Sequence, residues 1–378
     1  MNETLRLGTI WGIRVGVNWS VLVIFTLLLV VLSAGNLPLL APDHSAVAYA
    51  LAGTAAAIVF FLSLLAHELS HALVARREGI EVEGITLWLF GGVARLTGEP
   101  ATPGADLRVA GVGPLVSLLL GMGFGFLTLA VALAGAGDLL VAVVGWLSLI
   151  NVMLAAFNLV PATPLDGGRI LRAFLWWRTG DRSRAAVTAA RAGRTFGFLL
   201  IALGVASLLF FPGIGLIWLA LIGWFIASAA SAEEQQTRVQ DSLRGVTVAN
   251  VMTRDPLTVH ADLPVAELLD AYVLYHRHSA YPVVDAWGRP EGLVTLDRIR
   301  AVDAEQRAQS VVADIAAPLD EVATAGPDEQ LVDVLPRLSQ GERRILVIED
   351  GFLVGLVTAT DVTRTLELTD LRPKPPST

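Results

Sequence analysis

Phe60-Phe61-Leu62-Ser63-Leu64-Leu65-Ala66-His67-Glu68-Leu69-Ser70-His71-Ala72 is the stretch on which the reading of this chain turns. On a helix, His67 and His71 stand about 40° apart around the axis and about 6 Å apart along it, so both imidazoles aim at one point. Two imidazoles placed that way can hold one zinc ion. Glu68, beside the first of them, faces the same point closely enough to act on a water there rather than as a ligand. Two satisfied histidines near a helix end would show the same spacing, so the surroundings decide. Apolar, uncharged residues run from Val47 to Ala66, long enough to cross a bilayer, and the His-Glu-His set follows before Arg76-Arg77. Ionisable groups there are costly without a partner or a metal, which marks them as a functional-site expectation.

The composition agrees with a membrane setting. Of 378 residues 54% are hydrophobic and only 16% charged, with mean hydropathy +0.62, too apolar for a soluble enzyme. Through residue 231 there are 13 Lys+Arg and 11 Asp+Glu; from 232 onward there are 14 and 24, so a net +2 gives way to −10. The membrane part is therefore expected to end near Ser231, and the acidic remainder has no basic footprint for nucleic acid. With no cysteine, thiolate ligands and nucleophiles are excluded, and metal ligands must come from His, Asp and Glu.

Six transmembrane helices are expected. The first is Trp19 to Ala34, with a loop from Gly35 to Asp43, and the second is 47–75. The others are 109–134, rich in small residues that suit close helix approach, then 139–160, 196–211 and 214–230, the last two separated by Pro212-Gly213. Residues 80–100 suit a re-entrant β-hairpin, too short to span, whose edge could face an extended substrate near the metal. Lys and Arg number two before the first span, four in 76–108 and seven in 169–194, with none in the alternate loops. The positive-inside rule then places both termini and the H-E-x-x-H end in the cytoplasm, with His67 roughly 13 Å into the bilayer.

From Val246 the text repeats. Tyr281-Pro282-Val283-Val284-Asp285 and Gly292-Leu293-Val294-Thr295 have counterparts in Ile345-Leu346-Val347-Ile348-Glu349 and Gly355-Leu356-Val357-Thr358. Strands between helices predict two small α/β units packed as a pair. The expected organisation is a membrane domain over 1–231, a linker over 232–245, repeats over 246–303 and 308–368, and a disordered tail over 369–378.

A zinc peptidase needs a third ligand and an open fourth position. Asp166, in Pro161-Ala162-Thr163-Pro164-Leu165-Asp166-Gly167-Gly168-Arg169, is the best candidate. Prolines and glycines break the fourth span there, and its carboxylate reaches the depth of His71 if the second and fourth spans are antiparallel neighbours. A turn Asp would read the same way. Glu68 would carry a proton from water to the leaving amine. Asn158 could donate to the oxyanion or, as for Asn151, serve as an interhelical hydrogen-bond residue.

These residues resemble the site-2 proteases, the M50 intramembrane zinc metalloproteases. The resemblance rests on His67-Glu68-Leu69-Ser70-His71, Phe90-Gly91-Gly92-Val93-Ala94, Gly113-Pro114-Leu115-Val116-Ser117 and Asn158 through Arg169. It implies zinc on His67, His71 and Asp166, catalysis by Glu68 assisted by Asn158, and a membrane-spanning protein substrate cleaved in regulated intramembrane proteolysis. The repeats resemble a CBS pair, as in the branch of the family with CBS domains after the sixth span. That implies an adenine nucleotide (ATP or AMP type) on a G-h-h-T-x-x-D pattern, and a homodimer. Thr358 and Asp361 fit this pattern. The first repeat departs from it, since Thr295 is followed by Asp297 and then Arg298. The whole is thus expected to be an α-helical polytopic membrane protein with a C-terminal α/β tandem CBS module, in the cell membrane. The rival reading is a CBS-regulated channel or transporter, which leaves the His, Asp and Glu68 set unassigned.

Overall fold

The computed structural model describes residues 4–88, 91–210, 217–276, 278–338 and 342–370. Phe90, Pro212-Gly213 and residues 371–378 of the expected tail lie outside them, while its first two residues, Thr369 and Asp370, end a helix over Ala359–Asp370. The chain divides into two compact units, Met1–Thr237 and Arg238–Thr378.

The first unit opens with a hairpin that the sequence reading missed. β1 (Leu5–Ile10) and β2 (Ile13–Val17) pair antiparallel through Trp11-Gly12. Both turn residues have positive φ, 50° and 80°, as a two-residue type I′ turn requires. β2 then pairs in parallel with β3 (Glu81–Trp88), which returns antiparallel as β4 (Gly91–Thr97), giving one sheet of order β1-β2-β3-β4. The alternation of β2 and β3 buries Ile13 and Ile85 against Leu69 and Ala72 of the histidine helix, and Arg76 Nη1 donates to Trp11 O at 2.6 Å. The sheet is thereby fixed to the helix that carries the site.

Among the described residues six helices are long and apolar enough to cross a membrane, so the protein is a multi-pass membrane protein. α1 (Ser20–Val31) continues through a π turn, Leu32–Asn36, into α2 (Leu37–Leu40). The loop expected from Gly35 therefore begins later, because Pro38 falls in the first turn of α2, where its missing N–H costs nothing. α3 (Ala46–Arg77) starts at Ser45, whose side chain accepts from Ala48 N. α4 (Pro103–Leu133) starts at Thr102 and carries Pro114 inside, and α5 (Asp138–Asn158) follows. α7 (Arg182–Phe210) and α8 (Ile217–Ser242) are longer than expected. The linker expected from 232 is helical, since Glu234 pairs with Arg191 and Arg194 and holds α8 to α7 beyond the apolar run.

Two expectations about Asp166 need correction. It does not lie on irregular backbone: it is the first residue of α6 (Asp166–Thr179). Nor are α3 and α5 antiparallel. His44, just before α3, lies 3.4 Å from Asp138 at the start of α5, and further along both helices Phe60 meets Trp146, so the two helices run the same way. It is the turn over 159–165 that returns the carboxylate to the histidines. Gly167 and Gly168 make this possible, because a Cβ on the first would strike Leu159 and Val160 carbonyls and one on the second the Thr163 backbone.

In the second unit the repeats interlock. β6 (Val259–His260), β7 (Ala280–Val284) and β8 (Pro290–Thr295) form a sheet completed by β9 (Ala317–Pro318). β10 (Ala323–Ala325), β11 (Arg344–Glu349) and β12 (Phe352–Thr358) form the other, completed by β5 (Thr253–Arg254). Each sheet thus takes its last strand from the segment leading into the opposite repeat. Val248 and Val251 accordingly sit in the core around Leu331 and Ile345, and Val312 in the core around Tyr281 and Val294.

Candidate functional site

Three donors from two helices converge. His67 Nε2, His71 Nε2 and Asp166 Oδ2 form a triangle with every side 3.2 Å. All three groups are buried, Asp166 retaining 12% side-chain exposure. Helical spacing brings the histidines together; α6 brings the aspartate.

The other ring nitrogens are also held. His71 Nδ1 lies 2.6 Å from Val109 O, and a carbonyl only accepts, so the proton sits on Nδ1 and the Nε2 lone pair is free. His67 Nδ1 lies 2.9 Å from Ser117 Oγ. Gly113, on the same face of α4, closes over the pair. A Cβ there would lie 2.7 Å from His67 Nε2 and closer still to His71 Nε2, in the space between the donors. Gly113 and Ser117 were read as packing residues. Their spacing of four, one turn, was the signal that they serve one face.

Glu68 Oε1 accepts from Gly92 N at 3.3 Å, so the edge strand β4 lies against the carboxylate next to the histidines. A Cβ on Gly92 would fall 2.9 Å from that oxygen. Asn158 closes α5 half-buried, and its side chain makes no hydrogen bond among the described residues, with the three donors or otherwise. Asn151 is buried, but it donates within its own helix, to Leu147 O at 2.8 Å, and its Oδ1 has no partner among the described residues.

In the second unit, Thr358 and Asp361 form a tight set: Asp361 Oδ2 accepts from Thr358 N at 2.9 Å and Thr358 Oγ1 at 2.7 Å. They line a cavity of about 300 Å³ with Pro256, Leu257, Ala280 and Pro282. Thr295 and Asp297 line another, of about 430 Å³, and there Thr295 Oγ1 is buried without a partner among the described residues.

The sequence matches the profile of peptidase family M50 over residues 55–136 and 131–204, and the CBS domain profile over 248–305 and 312–368. The Rip3 protein of Mycobacterium tuberculosis is 46% identical over 378 residues, an alignment spanning 99% of this chain and 96% of that one. The chain belongs to peptidase family M50. A zinc metalloprotease of Methanocaldococcus jannaschii is 29% identical over 83% of this chain and 86% of its own. The solved site-2 protease from that organism, at 29% identity and TM-score 0.41, covers 61% of this chain and 94% of that one.

As an M50 member the protein is a zinc metalloprotease with a CBS pair, and the donors fit the metal. Tetrahedral zinc with nitrogen and oxygen ligands at about 2.0–2.2 Å sets those ligands about 3.3 Å apart. The 3.2 Å triangle matches this, and a carboxylate facing two imidazole nitrogens supplies the oxygen and nitrogen donors that zinc takes.

Proposed function

We propose that the protein cleaves transmembrane segments of membrane-held proteins within the bilayer, in regulated intramembrane proteolysis, and that adenine nucleotide bound by its CBS pair modulates the activity. The observation that carries the proteolytic reading is the equilateral donor triangle beside a carboxylate and an edge strand. His67, His71 and Asp166 hold the zinc, which when bound supplies a Lewis acid for the scissile carbonyl and the attacking water. Glu68, held by Gly92 N–H, takes the proton from water and returns it to the leaving nitrogen. Asn158 has its amide free to donate to the oxyanion. The substrate must unwind locally to expose a peptide bond, and β4, the last strand of its sheet among the described residues, offers that extended segment main-chain hydrogen bonds along its outer edge. In this reading β3 and β4 are re-entrant, the termini and CBS pair are cytoplasmic, and the chain is a homodimer. Thr358 and Asp361 hold the nucleotide ribose.

Zinc analysis of detergent-purified protein tests the centre. About one zinc per chain is expected, lost in His67→Ala and in Asp166→Ala, whereas Glu68→Gln keeps zinc and loses cleavage of a reconstituted transmembrane substrate. Zinc unaffected by either ligand substitution would refute the assignment. A zinc-free protein that conducts ions would favour the transporter reading.

A further inference from the structure

The two nucleotide half-sites of the CBS pair are not equivalent. β-Ladder pairing makes Ala280 opposite Thr295 the counterpart of Arg344 opposite Thr358. One residue further along than Asp297, the counterpart of Asp361 is Arg298. Its guanidinium is taken by Glu342, with Nε donating to Oε1 at 2.6 Å. Thr295 Oγ1, which would bond that missing carboxylate as Thr358 does, is left without a partner among the described residues. The ribose-binding set is therefore intact in one half-site and dismantled in the other.

The linings differ in the same sense. The Thr358 cavity has an apolar floor, Pro256, Leu257, Pro282 and Leu356, suited to the face of a base. The Thr295 cavity has Leu296 as its one apolar lining residue and three arginines, Arg300, Arg343 and Arg344. Arg300 is paired with Asp297 at 3.3 Å, but Arg343 and Arg344 have no carboxylate partner among the described residues. Ser279 and Arg344 line both cavities and are joined by a 2.6 Å hydrogen bond from Arg344 Nη2 to Ser279 Oγ, so the two cavities adjoin across Arg344.

We infer that the CBS pair is one site rather than two, for a single nucleoside polyphosphate: base and ribose at Thr358 and Asp361, and the phosphate chain passing Arg344 into the dismantled half-site toward Arg343 and Arg300. This rests on the reading of Thr358 and Asp361 as a nucleotide site. Guanidinium forks match phosphate oxygens, and a triphosphate reaches further and carries more charge than a monophosphate.

Equilibrium binding of AMP, ATP and inorganic triphosphate to the full-length protein in detergent tests it. One ATP per chain is expected, at least about tenfold tighter than AMP, with inorganic triphosphate competing against ATP better than against AMP. Arg343→Ala and Arg300→Ala, both at exposed positions, should remove most of the ATP advantage while AMP affinity changes less than about threefold; Asp361→Ala should abolish binding of both nucleotides. Two ATP per chain, or equal AMP and ATP affinities untouched by the arginine substitutions, would overturn the single-site inference and leave the nucleotide reading standing. Failure of the wild type to bind AMP or ATP would overturn both.

Discussion

Arg172 Nε and Nη2 donate to the two carboxylate oxygens of Asp106 at 2.9 and 2.8 Å, a bidentate pair in which Asp106 is wholly buried. Asp106 lies in the first turn of α4, where a negative charge also suits the helix dipole. Arg172 lies on α6, six residues after Asp166, and further reaches Glu233 of α8 at 3.8 Å. The pair therefore fixes the helix that carries Asp166 to the helix that carries Gly113 and Ser117.

Breaking it should loosen the metal centre without touching a ligand. Removing one partner of a buried pair costs about 3–5 kcal/mol, because the other is left uncompensated. Asp106→Asn is expected to lower the melting temperature of the detergent-solubilised protein and to weaken zinc retention against a chelator. Arg172→Lys should be intermediate, since an ammonium cannot reproduce the fork. Wild-type melting and zinc retention in Asp106→Asn would show that α6 is positioned by something else.

Gly113 and Gly111 form a matched pair for a second test. A Cβ on Gly113 enters the space between the histidine donors, whereas one on Gly111 meets nothing within 4 Å. Gly113→Ala should therefore lose zinc and activity together, and Gly111→Ala should keep both and gain slightly in helix stability, by up to about 1 kcal/mol. Equal zinc content in the two variants would contradict the geometry.

Ser117 supplies the outer hydrogen bond of His67, while His71 relies on the Val109 backbone. Outer partners of metal-bound histidines are worth about 10–100-fold in affinity or activity. Ser117→Ala should weaken zinc binding within that range and leave the fold intact, since the residue removed is small and the cavity slight. Competition with a fluorescent zinc chelator measures it; no change would mean that packing alone orients His67.

Much of this was legible in the sequence, for reasons that can be traced to particular residues. His67, Glu68 and His71 were read from helical spacing within an apolar run, and α3 to α5 from hydropathy. The β1–β2 hairpin was overlooked although Ile13, Val15 and Val17 alternate after a Trp-Gly turn. Short strands beside longer apolar runs carry a weak signal. The ion pairs of Asp106 and Glu234 join residues 66 and about 40 positions apart, and no local pattern announces them. The stretch past Ser231 was read as a linker because composition turns polar there; it continues α8, with helix formers such as Ala232, Glu233 and Gln235 and with Glu234 paired to α7. The exchange of β5 and β9 between repeats likewise depends on long-range pairing that two similar segments cannot reveal.

The acid stability of the second unit should depend on Glu329. Its carboxyl is held below the usual range, first by the Gly326 N–H, which donates to Oε1 at 2.7 Å, and further by Arg337 at 2.9 Å. A carboxyl lowered in the folded state contributes stability that is fully present above its unfolded value, about 4.3, and is lost as pH falls through the folded value. The unit should therefore weaken below about pH 4.5, and Glu329→Gln should be less stable than wild type at pH 7 but converge on it in acid. The effect is small because Glu329 is partly exposed and its charge is screened. Hydrogen exchange across 326–338 in the full-length protein, at pH 7 and pH 4, reads it locally. A constant difference between the two proteins at both values would assign the effect to packing of the side chain rather than to its charge.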